Sequence, residues 1–376
     1  MEGDGREKKP KPADVEQVLA EFDLKAPTLK SLCTKTKDLL EEFLQSAGVP
    51  FQSVQARVKS RKKLREKYLD PEKGYTQLDE IHDQAALRVI TYYPDEVDRV
   101  AGVIEREFGI GRANTVDKRK IDLDRFGYSA INYVCEHLGA RTSLGEYKKF
   151  AGIRFEIQVT SILSHAWSET NHGSYDLGES SPPDVRRRFF QLKALLELAE
   201  SQFTELRDKT TNYARAMAIQ VETKVTDLPL NIASLKSLID QEPLIAKVDE
   251  EIGELMEVPV APTTPNSALE LWLRGAHHLG LTTVQALRDC FTQYHGGIIE
   301  FVSRCREYWD WPYPGLGPVA PGLSVFQLQK LLIRSRGEEA VLGFTKTLRL
   351  SPEMNRELAK QIAVAREIVA KYGERP

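Results

Sequence analysis

Apolar and polar residues alternate along residues 155–160, which is the period of a β-strand with one buried face. Apolar residues then recur at helical spacing over 162–167, so the strand leads directly into an amphipathic helix. The strand carries Glu156 and Gln158 on its polar face, and three polar residues share one stripe of the helix: His165, Glu169 and His172. Such a unit either lines a ligand site or turns its polar side to water, and the spacing leaves both interpretations open.

The rest of the pattern predicts further helices and strands. Residues 15–44 have helical spacing, and we expect two helices there, separated near Pro27 because proline lacks the N–H that a helix interior needs. The predicted elements that follow are a short strand at 53–58, a buried strand at 87–93, a helix at 94–108, a strand at 128–138 and a long helix at 186–217. This order predicts an α+β domain with a mixed sheet of four or five strands flanked by helices.

The sequence divides into three regions. Residues 1–13 are charged and are predicted to be disordered, and residues 14–217 are predicted to form the α+β domain. Residues 226–376 are helical in pattern, contain a Pro-rich stretch at 258–265, and are predicted to form an accessory domain. Asn266 or Ser267 is predicted to cap the helix after that stretch.

Composition excludes some classes of protein. The 376-residue chain is 41% hydrophobic and 28% charged, as in ordinary soluble domains, and its net charge is −3. A polyanion site must therefore be a local patch, and nucleic acid is not an expected general partner. The four cysteines have no zinc-ligand spacing, no segment is apolar enough to span a membrane, and no secretory signal is present. We expect reduced, mostly buried thiols and a cytoplasmic protein.

Residues 57–67 form a concentrated basic segment, with seven basic residues among eleven and one acidic residue. Lys59, Lys63 and Lys67 recur every four residues, so a helix over this segment would carry three like charges on one face. A bound anion would relieve that repulsion, whereas the alternative is a solvated surface helix.

Two carboxylates and one arginine stand out near the predicted sheet. Asp83 lies just before the strand at 87–93, and Arg88 interrupts its apolar run, which is costly unless Arg88 is paired. If the sheet brings Asp83 near Glu156, the two could hold Mg²⁺, which prefers one or two carboxylates plus phosphate oxygens. No P-loop, dinucleotide-binding or kinase motif occurs, so a nucleotide site would be of another type.

These residues, in this order, resemble the synthetase domain of the RelA/SpoT family over about residues 39–206, and the small alarmone synthetase branch is most similar. The resemblance implies a nucleotidyltransferase-like synthetase domain that moves pyrophosphate from ATP to the 3′-hydroxyl of GDP or GTP, with Mg²⁺ as cofactor. Asp83 and Glu156 match the family's metal-binding carboxylates, and Glu156 is also implied to activate the acceptor hydroxyl. Four basic residues match the ATP-binding set: Arg57, Lys59, Lys67 and Arg88. Six residues match acceptor-side positions: Lys118, Arg119, Tyr128, Gln158, His165 and His172.

The chain also departs from the family pattern. The residues that stand where the family commonly has others are Lys63, Ala86, Ser129, Ala130, Asn132, Thr160 and Asn171. Loss of the Arg that Thr160 replaces removes a bidentate phosphate clamp. A toxin-type member that modifies an adenine nucleotide or tRNA, and a catalytically impaired nucleotide sensor, are therefore alternatives, and a homo-oligomer is left open. The His82–Asp83 pair does not indicate a hydrolase, because no other histidine precedes His137.

Overall fold

A mixed β-sheet of six strands organises the first of two units in the computed structural model, which describes residues 14–120, 130–174, 182–308, 318–350 and 357–373. Unit 1 spans residues 1–207 and unit 2 spans 208–376. The strands are β1 (Ser53–Val58), β2 (Ala85–Thr91), β3 (Phe108–Ile110), β4 (Val116–Asp117), β5 (Ile131–His137) and β6 (Phe155–Ser161). The α+β class is confirmed, and the short strands β3 and β4 bring the sheet to six strands.

The sheet has the order β1-β2-β6-β5-β3, and β4 also pairs with β5. Strands β2 and β6 are parallel and form the centre, whereas the other pairs are antiparallel. Within the described ranges, six helices belong wholly or partly to unit 1: α1 (Val15–Ser46), α2 (Arg61–Tyr68), α3 (Glu96–Glu107), α4 (Gly139–Thr142), α5 (Ile162–Ser174) and α6 (Pro183–Glu222). The boundary between the units falls within α6.

One face of the sheet is apolar and forms the core of unit 1. Phe155, Ile157 and Val159 of β6 are fully buried, as the alternation predicts, and they pack with buried residues of α1 and α3. Because side chains alternate along a strand, the intervening residues of β6 lie on the opposite face. That opposite face carries Glu156 and Gln158, both of which are half-buried.

The prediction of two helices separated near Pro27 is wrong, because α1 continues through Pro27 without a break. Buried residues on both sides of Pro27 lie on the same face, from Phe22 to Leu29 and onward to Leu44. The packing of this continuous apolar stripe outweighs the hydrogen bond that Pro27 cannot donate.

The basic segment is not a single helix, which corrects the predicted lysine stripe. Arg57 and Val58 are the last two residues of β1, and Lys59 follows the strand. Ser60 then caps α2, because its side chain accepts a hydrogen bond from the backbone N–H of Lys63. Only Lys63 and Lys67 of the three lysines therefore lie in the helix.

Unit 2 is helical in its described residues. Its remaining helices are α7 (Ile232–Gln241), α8 (Pro243–Met256), α9 (Asn266–His278), α10 (Val284–Cys305), α11 (Leu323–Ser335), α12 (Glu338–Leu348) and α13 (Leu358–Gly373). The predicted cap of α9 is wrong, because Pro265 occupies the N-cap position and Asn266 is the first helical residue. No helix in the described part of the chain has the length and apolar character needed to cross a bilayer.

Candidate active site on the open face of the sheet

Polar side chains form a row across four neighbouring strands. The strand registers place Gln55 opposite Arg88, Arg88 opposite Gln158, and Gln158 opposite Asn132. Paired residues project to the same side of a sheet, so the row lies on the face opposite the core. The register therefore gathers residues that are far apart in the sequence into one polar strip.

A second row lies next to the first and brings the two predicted metal-binding carboxylates toward each other. Arg57 of β1 pairs with Ala86 of β2, and Ala86 pairs with Glu156 of β6. Asp83 lies three residues before Ala86, in a short 3₁₀ turn that leads into β2. The parallel pairing of β2 with β6 thus places Asp83 just before the strand that neighbours Glu156, and a metal site shared by the two carboxylates stays a prediction.

Asp83 is held by two of the predicted phosphate-binding lysines. Its Oδ2 atom lies 2.8 Å from Lys59 Nζ and 2.9 Å from Lys67 Nζ. Burial raises the pKa of this carboxyl, but the hydrogen bonds and charges of the two lysines outweigh burial and lower the pKa overall. Burial lowers the pKa of Lys67, whereas Asp83, Tyr75 and Glu156 raise it, and the net shift is upward.

The second oxygen of Asp83 offers a test of whether a metal fits. Asp83 Oδ1 is buried and has no hydrogen-bond partner among the described residues. A buried oxygen without a partner costs about 1–3 kcal/mol, and a cation bound there would offset that cost. Among the described residues, no group of three or more His, Cys, Asp or Glu side chains is arranged to hold a metal ion, so Asp83 and Glu156 are the two candidate protein ligands. This donor set fits Mg²⁺, whose remaining ligands would be phosphate and water oxygens.

Glu156 lies between two side-chain amides. Its Oε1 atom accepts a hydrogen bond from Gln158 Nε2 at 2.5 Å, and Asn132 Nδ2 donates to the same oxygen at 3.5 Å. The two amide donors fix the position of this carboxylate oxygen on the open face of the sheet. Asn132 Oδ1 is itself buried and has no partner in the described structure.

Arg88 is paired with a carboxylate and two further polar side chains, which explains how a charge is tolerated in a buried strand. Its Nε donates to Gln158 Oε1 at 3.3 Å, and its Nη1 lies 3.2 Å from His165 Nδ1 and 2.5 Å from Glu169 Oε1. Burial, and then the charge of Arg88, lowers the pKa of His165. The hydrogen bond from Arg88 lowers the pKa of Glu169. The predicted stripe on α5 therefore faces the sheet at His165 and Glu169.

A small cavity of about 110 Å³ lies between Arg57 and Arg88. Gln55 and Gln158 also line it, together with backbone and side-chain atoms of β1 and β2. Guanidinium planes stack on aromatic rings, so two arginines that flank one cavity suit a nucleobase.

The predicted acceptor-side residues are only partly brought to this site. Arg119 binds Asp117 at 3.0 Å and Asp98 at 2.8 Å, so its charge is directed toward β4 and α3. The backbone N–H of Lys118 donates to the carbonyl of Ala130 at 2.9 Å. The segment with Tyr128 and Ser129, the side chains of Asn171 and His172, and residues 1–13 lie outside the described residues.

A buried polar network fixes the junction between β6 and α5. Ser161 Oγ, at the end of β6, hydrogen-bonds to Glu200 of α6 and also accepts from the backbone N–H of Ser164 at 3.3 Å. Lys193 of α6 is fully buried and donates to Ser164 Oγ at 3.1 Å. Because Ser161 follows Glu156 and Gln158 on β6, this network also positions the strand that carries the candidate carboxylate.

Sequence reasoning did not assign Glu169, Asn132 or Gln55 to the site, although the structure places all three there. Glu169 was visible as part of the helical stripe, and Asn132 and Gln55 lie at polar positions of alternating strands. Thr160, which stands where the family commonly has arginine, is fully buried and cannot reach a phosphate in solvent.

Comparison with known proteins agrees with the resemblance described above. Residues 56–179 match a family model described as "Region found in RelA / SpoT proteins". A search of curated proteins gave no match. Solved structures with similarity include small alarmone synthetase 1 from Bacillus subtilis (16% identity, TM-score 0.43, covering 51% of this chain and 99% of that one). A GTP pyrophosphokinase family protein from Streptococcus pneumoniae is 19% identical, with a TM-score of 0.42 and coverage of 53% and 95%.

Proposed function

We propose, from the match of residues 56–179 to a family model described as "Region found in RelA / SpoT proteins", that the protein is a pyrophosphokinase that transfers pyrophosphate from ATP to the 3′-hydroxyl of GDP or GTP. The observation that carries the proposal is the arrangement around Asp83. One of its oxygens binds Lys59 and Lys67, and the other is buried and has no hydrogen-bond partner within the described part of the chain.

Each group has a defined task in this reaction. The 3′-oxygen of the acceptor attacks the β-phosphorus of ATP, the bond from that phosphorus to the α–β bridging oxygen breaks, and AMP leaves. Glu156 accepts the proton of the attacking hydroxyl, because its carboxylate is oriented by hydrogen bonds from Gln158 and Asn132. Lys59 and Lys67 neutralise phosphate charge, and positioning and neutralisation supply most of the catalysis in phosphoryl transfer.

The metal and the base-binding residues complete the site. Mg²⁺, when bound by Asp83 and Glu156, supplies charge neutralisation on the phosphate oxygens. Arg57 and Arg88 hold the adenine in the cavity between them. On the acceptor side, the resemblance supports Tyr128 as the base-stacking ring, with five further contacts: Lys118, Arg119, Gln158, His165 and His172.

One observation favours a second candidate, in which the acceptor is an adenine nucleotide or tRNA. Asn132 and Thr160 stand where the family commonly has a histidine and an arginine, and buried Thr160 cannot take over a phosphate contact. Different side chains at the acceptor positions suit an acceptor other than GDP or GTP. A nucleotide sensor without transfer activity is the remaining alternative.

The test is thin-layer analysis of the purified protein with γ-labelled ATP and each of four acceptors: GDP, GTP, ATP and tRNA. We expect a labelled product with GDP or GTP, and loss of that product in Asp83→Asn and Glu156→Gln. The matched control is Glu146→Gln, which removes an exposed carboxylate away from the site and should keep full activity. A product only with ATP or tRNA would replace the proposed acceptor, and ATP binding without any product would exclude transfer.

A further inference from the structure

A second cleft lies at the amino-terminal ends of β2 and β6. Its volume is about 540 Å³, and its walls are α1, the segment 79–84 that precedes β2, and the connector 151–154 that precedes β6. It shares no lining residue with the cavity between Arg57 and Arg88. The proposed transfer reaction does not use this cleft.

The cleft presents a cation that no carboxylate neutralises. Lys25 lines it but is paired with Glu21 at 2.7 Å and with Asp79 at 2.8 Å. Arg154 is exposed, lies 3.5 Å from His82 Nε2, and forms no ion pair with a carboxylate within the described ranges. An exposed guanidinium beside an imidazole is well suited to a phosphate, because both can donate hydrogen bonds to its oxygens.

The interior of the cleft contains a polar group whose hydrogen bonding is incomplete. Gln84 is 7% exposed, and its Nε2 donates to the carbonyl of Leu78 at 3.0 Å. Its Oε1 is buried and has no partner in the described part of the chain. An amide oxygen left in this state is destabilising, so a ligand with an N–H donor would gain affinity by supplying the missing bond.

The other walls are apolar. Leu29 and Ile81 are buried against the cleft, and Ile153 lies beside them. Leu24 stands at the rim and is 83% exposed, which is unusual for a leucine of a long packed helix. A ligand that fits all three features has an anionic group, a flat apolar body and an N–H donor.

We propose that this cleft is a second ligand site and that it takes a nucleoside monophosphate, with the phosphate at Arg154 and His82 and the base against the apolar walls toward Gln84. His82 is adjacent to Asp83, and Arg154 lies two residues before Glu156. A ligand held by His82 and Arg154 therefore acts on the ends of the two strands that position the candidate carboxylates. Binding at this cleft does not depend on the proposed transfer reaction, whereas its effect on rate does.

Isothermal titration of the full-length protein with AMP and with GMP tests the proposal, and saturating non-hydrolysable ATP keeps the first cavity filled. We expect one monophosphate site per chain. Arg154→Ala should weaken it about tenfold to a hundredfold, since a charge-assisted hydrogen bond contributes about 1.5–3 kcal/mol. Leu24→Trp, which fills the rim from an exposed position, should weaken binding without affecting folding. Lys148→Ala, an exposed basic residue nearby in the sequence, is the matched control and should bind as the wild type does.

The outcomes separate this proposal from the proposed function. Monophosphate binding that requires Arg154 but survives Arg57→Ala supports the cleft, even in a protein that transfers no pyrophosphate. Binding that is lost in Arg57→Ala and kept in Arg154→Ala would assign the ligand to the first cavity and overturn the proposal. Absence of any titration heat, together with no ligand-induced rise in melting temperature for either nucleotide, would also overturn it.

Discussion

Lys59 and Lys67 reach the same carboxylate oxygen from different structural elements. Lys59 follows β1, Lys67 lies in the last turn of α2, and both bind Asp83 Oδ2. Lys63 lies in the same helix as Lys67, but its side chain is exposed and it forms no ion pair among the described residues. Among single residues, orientation therefore separates the two lysines that bind Asp83 from the solvated Lys63 more sharply than the density of charge does.

This difference gives a matched pair of substitutions. Lys67→Gln should lower kcat/KM for ATP about tenfold to a hundredfold, because it removes a charge-assisted contact of about 1.5–3 kcal/mol. Lys63→Gln removes the same charge from the same helix and should change kcat/KM by less than about twofold. Steady-state kinetics with ATP as the varied substrate measures both, and equal losses in the two variants would mean that net charge alone attracts the nucleotide.

At the scale of elements, α1 and β5 meet in the core of unit 1. His137 of β5 is 5% exposed and hydrogen-bonds to Thr36 of α1 at 3.0 Å. Its ring lies 5.3 Å from Phe155 and 5.3 Å from Tyr147, measured between centroids. The apolar stripe of α1 runs past Pro27 toward this region, so the helix and the strand are stabilised by one continuous core.

Substitution of Pro27 measures how much stability the helix loses by having a proline in its interior. Pro27 is exposed within α1 and cannot donate the helical hydrogen bond of its position. Pro27→Ala should raise the free energy of unfolding by about 1–3 kcal/mol, since proline costs about 3 kcal/mol in a helix interior and the local backbone recovers part of it. Denaturant titration measures the change. A decrease in stability would show that the proline adjusts the helix to the sheet.

His137 should make the stability of unit 1 depend on pH. Burial, followed by the charge of Arg141, lowers the pKa of His137 to about 4, whereas an unfolded histidine titrates near pH 6.5. Between pH 4 and pH 6.5 the unfolded chain binds more protons at His137 than the folded chain does. The stability that His137 contributes is therefore fully present above about pH 6.5 and is lost as the pH falls toward 4. The loss should reach about 3 kcal/mol for a shift of this size.

The variant His137→Phe removes the titrating group but keeps an aromatic ring in the aromatic cluster. Denaturant unfolding at several pH values between 7 and 4 should show a shallower decrease for this variant than for the wild type. If the two curves stay parallel, His137 does not control the acid sensitivity of unit 1.

At the scale of the whole molecule, the hydrophobic residues form separate cores. One core lies in unit 1 and contains Phe155, whereas another lies in unit 2 and contains Phe344. Every residue of the candidate active site belongs to unit 1. We therefore expect nucleotide binding to depend on the first core and not on the second.

Thermal melts of the full chain with and without ATP and Mg²⁺ test this expectation. A ligand stabilises only the unit that binds it, so ATP should raise the midpoint of the unit 1 transition alone. Phe344→Ala should lower the other transition, and Phe155→Ala the ATP-sensitive one, each by the roughly 3–5 kcal/mol that loss of a buried phenylalanine costs. One transition that responds to both variants equally would show that the two cores unfold together.

The features that are local to the chain can be read from the order of its residues. The strand β6, the helix α5 and the buried β2 follow from the period of apolar residues, since burial of one face requires that period. The density of lysine and arginine around residues 57–67 likewise marked the region that meets Asp83.

How these features combine depends on contacts between segments that are distant in the sequence. Hydrogen bonding between β2 and β6, which are about 70 residues apart in the sequence, places Arg88 beside Gln158 and brings Asp83 toward Glu156. Packing keeps α1 continuous through Pro27. Lys59 lies between β1 and α2, and therefore outside the helix that contains Lys67. Local periodicity specifies which face of an element is buried, but register and packing between distant segments specify which polar side chains meet.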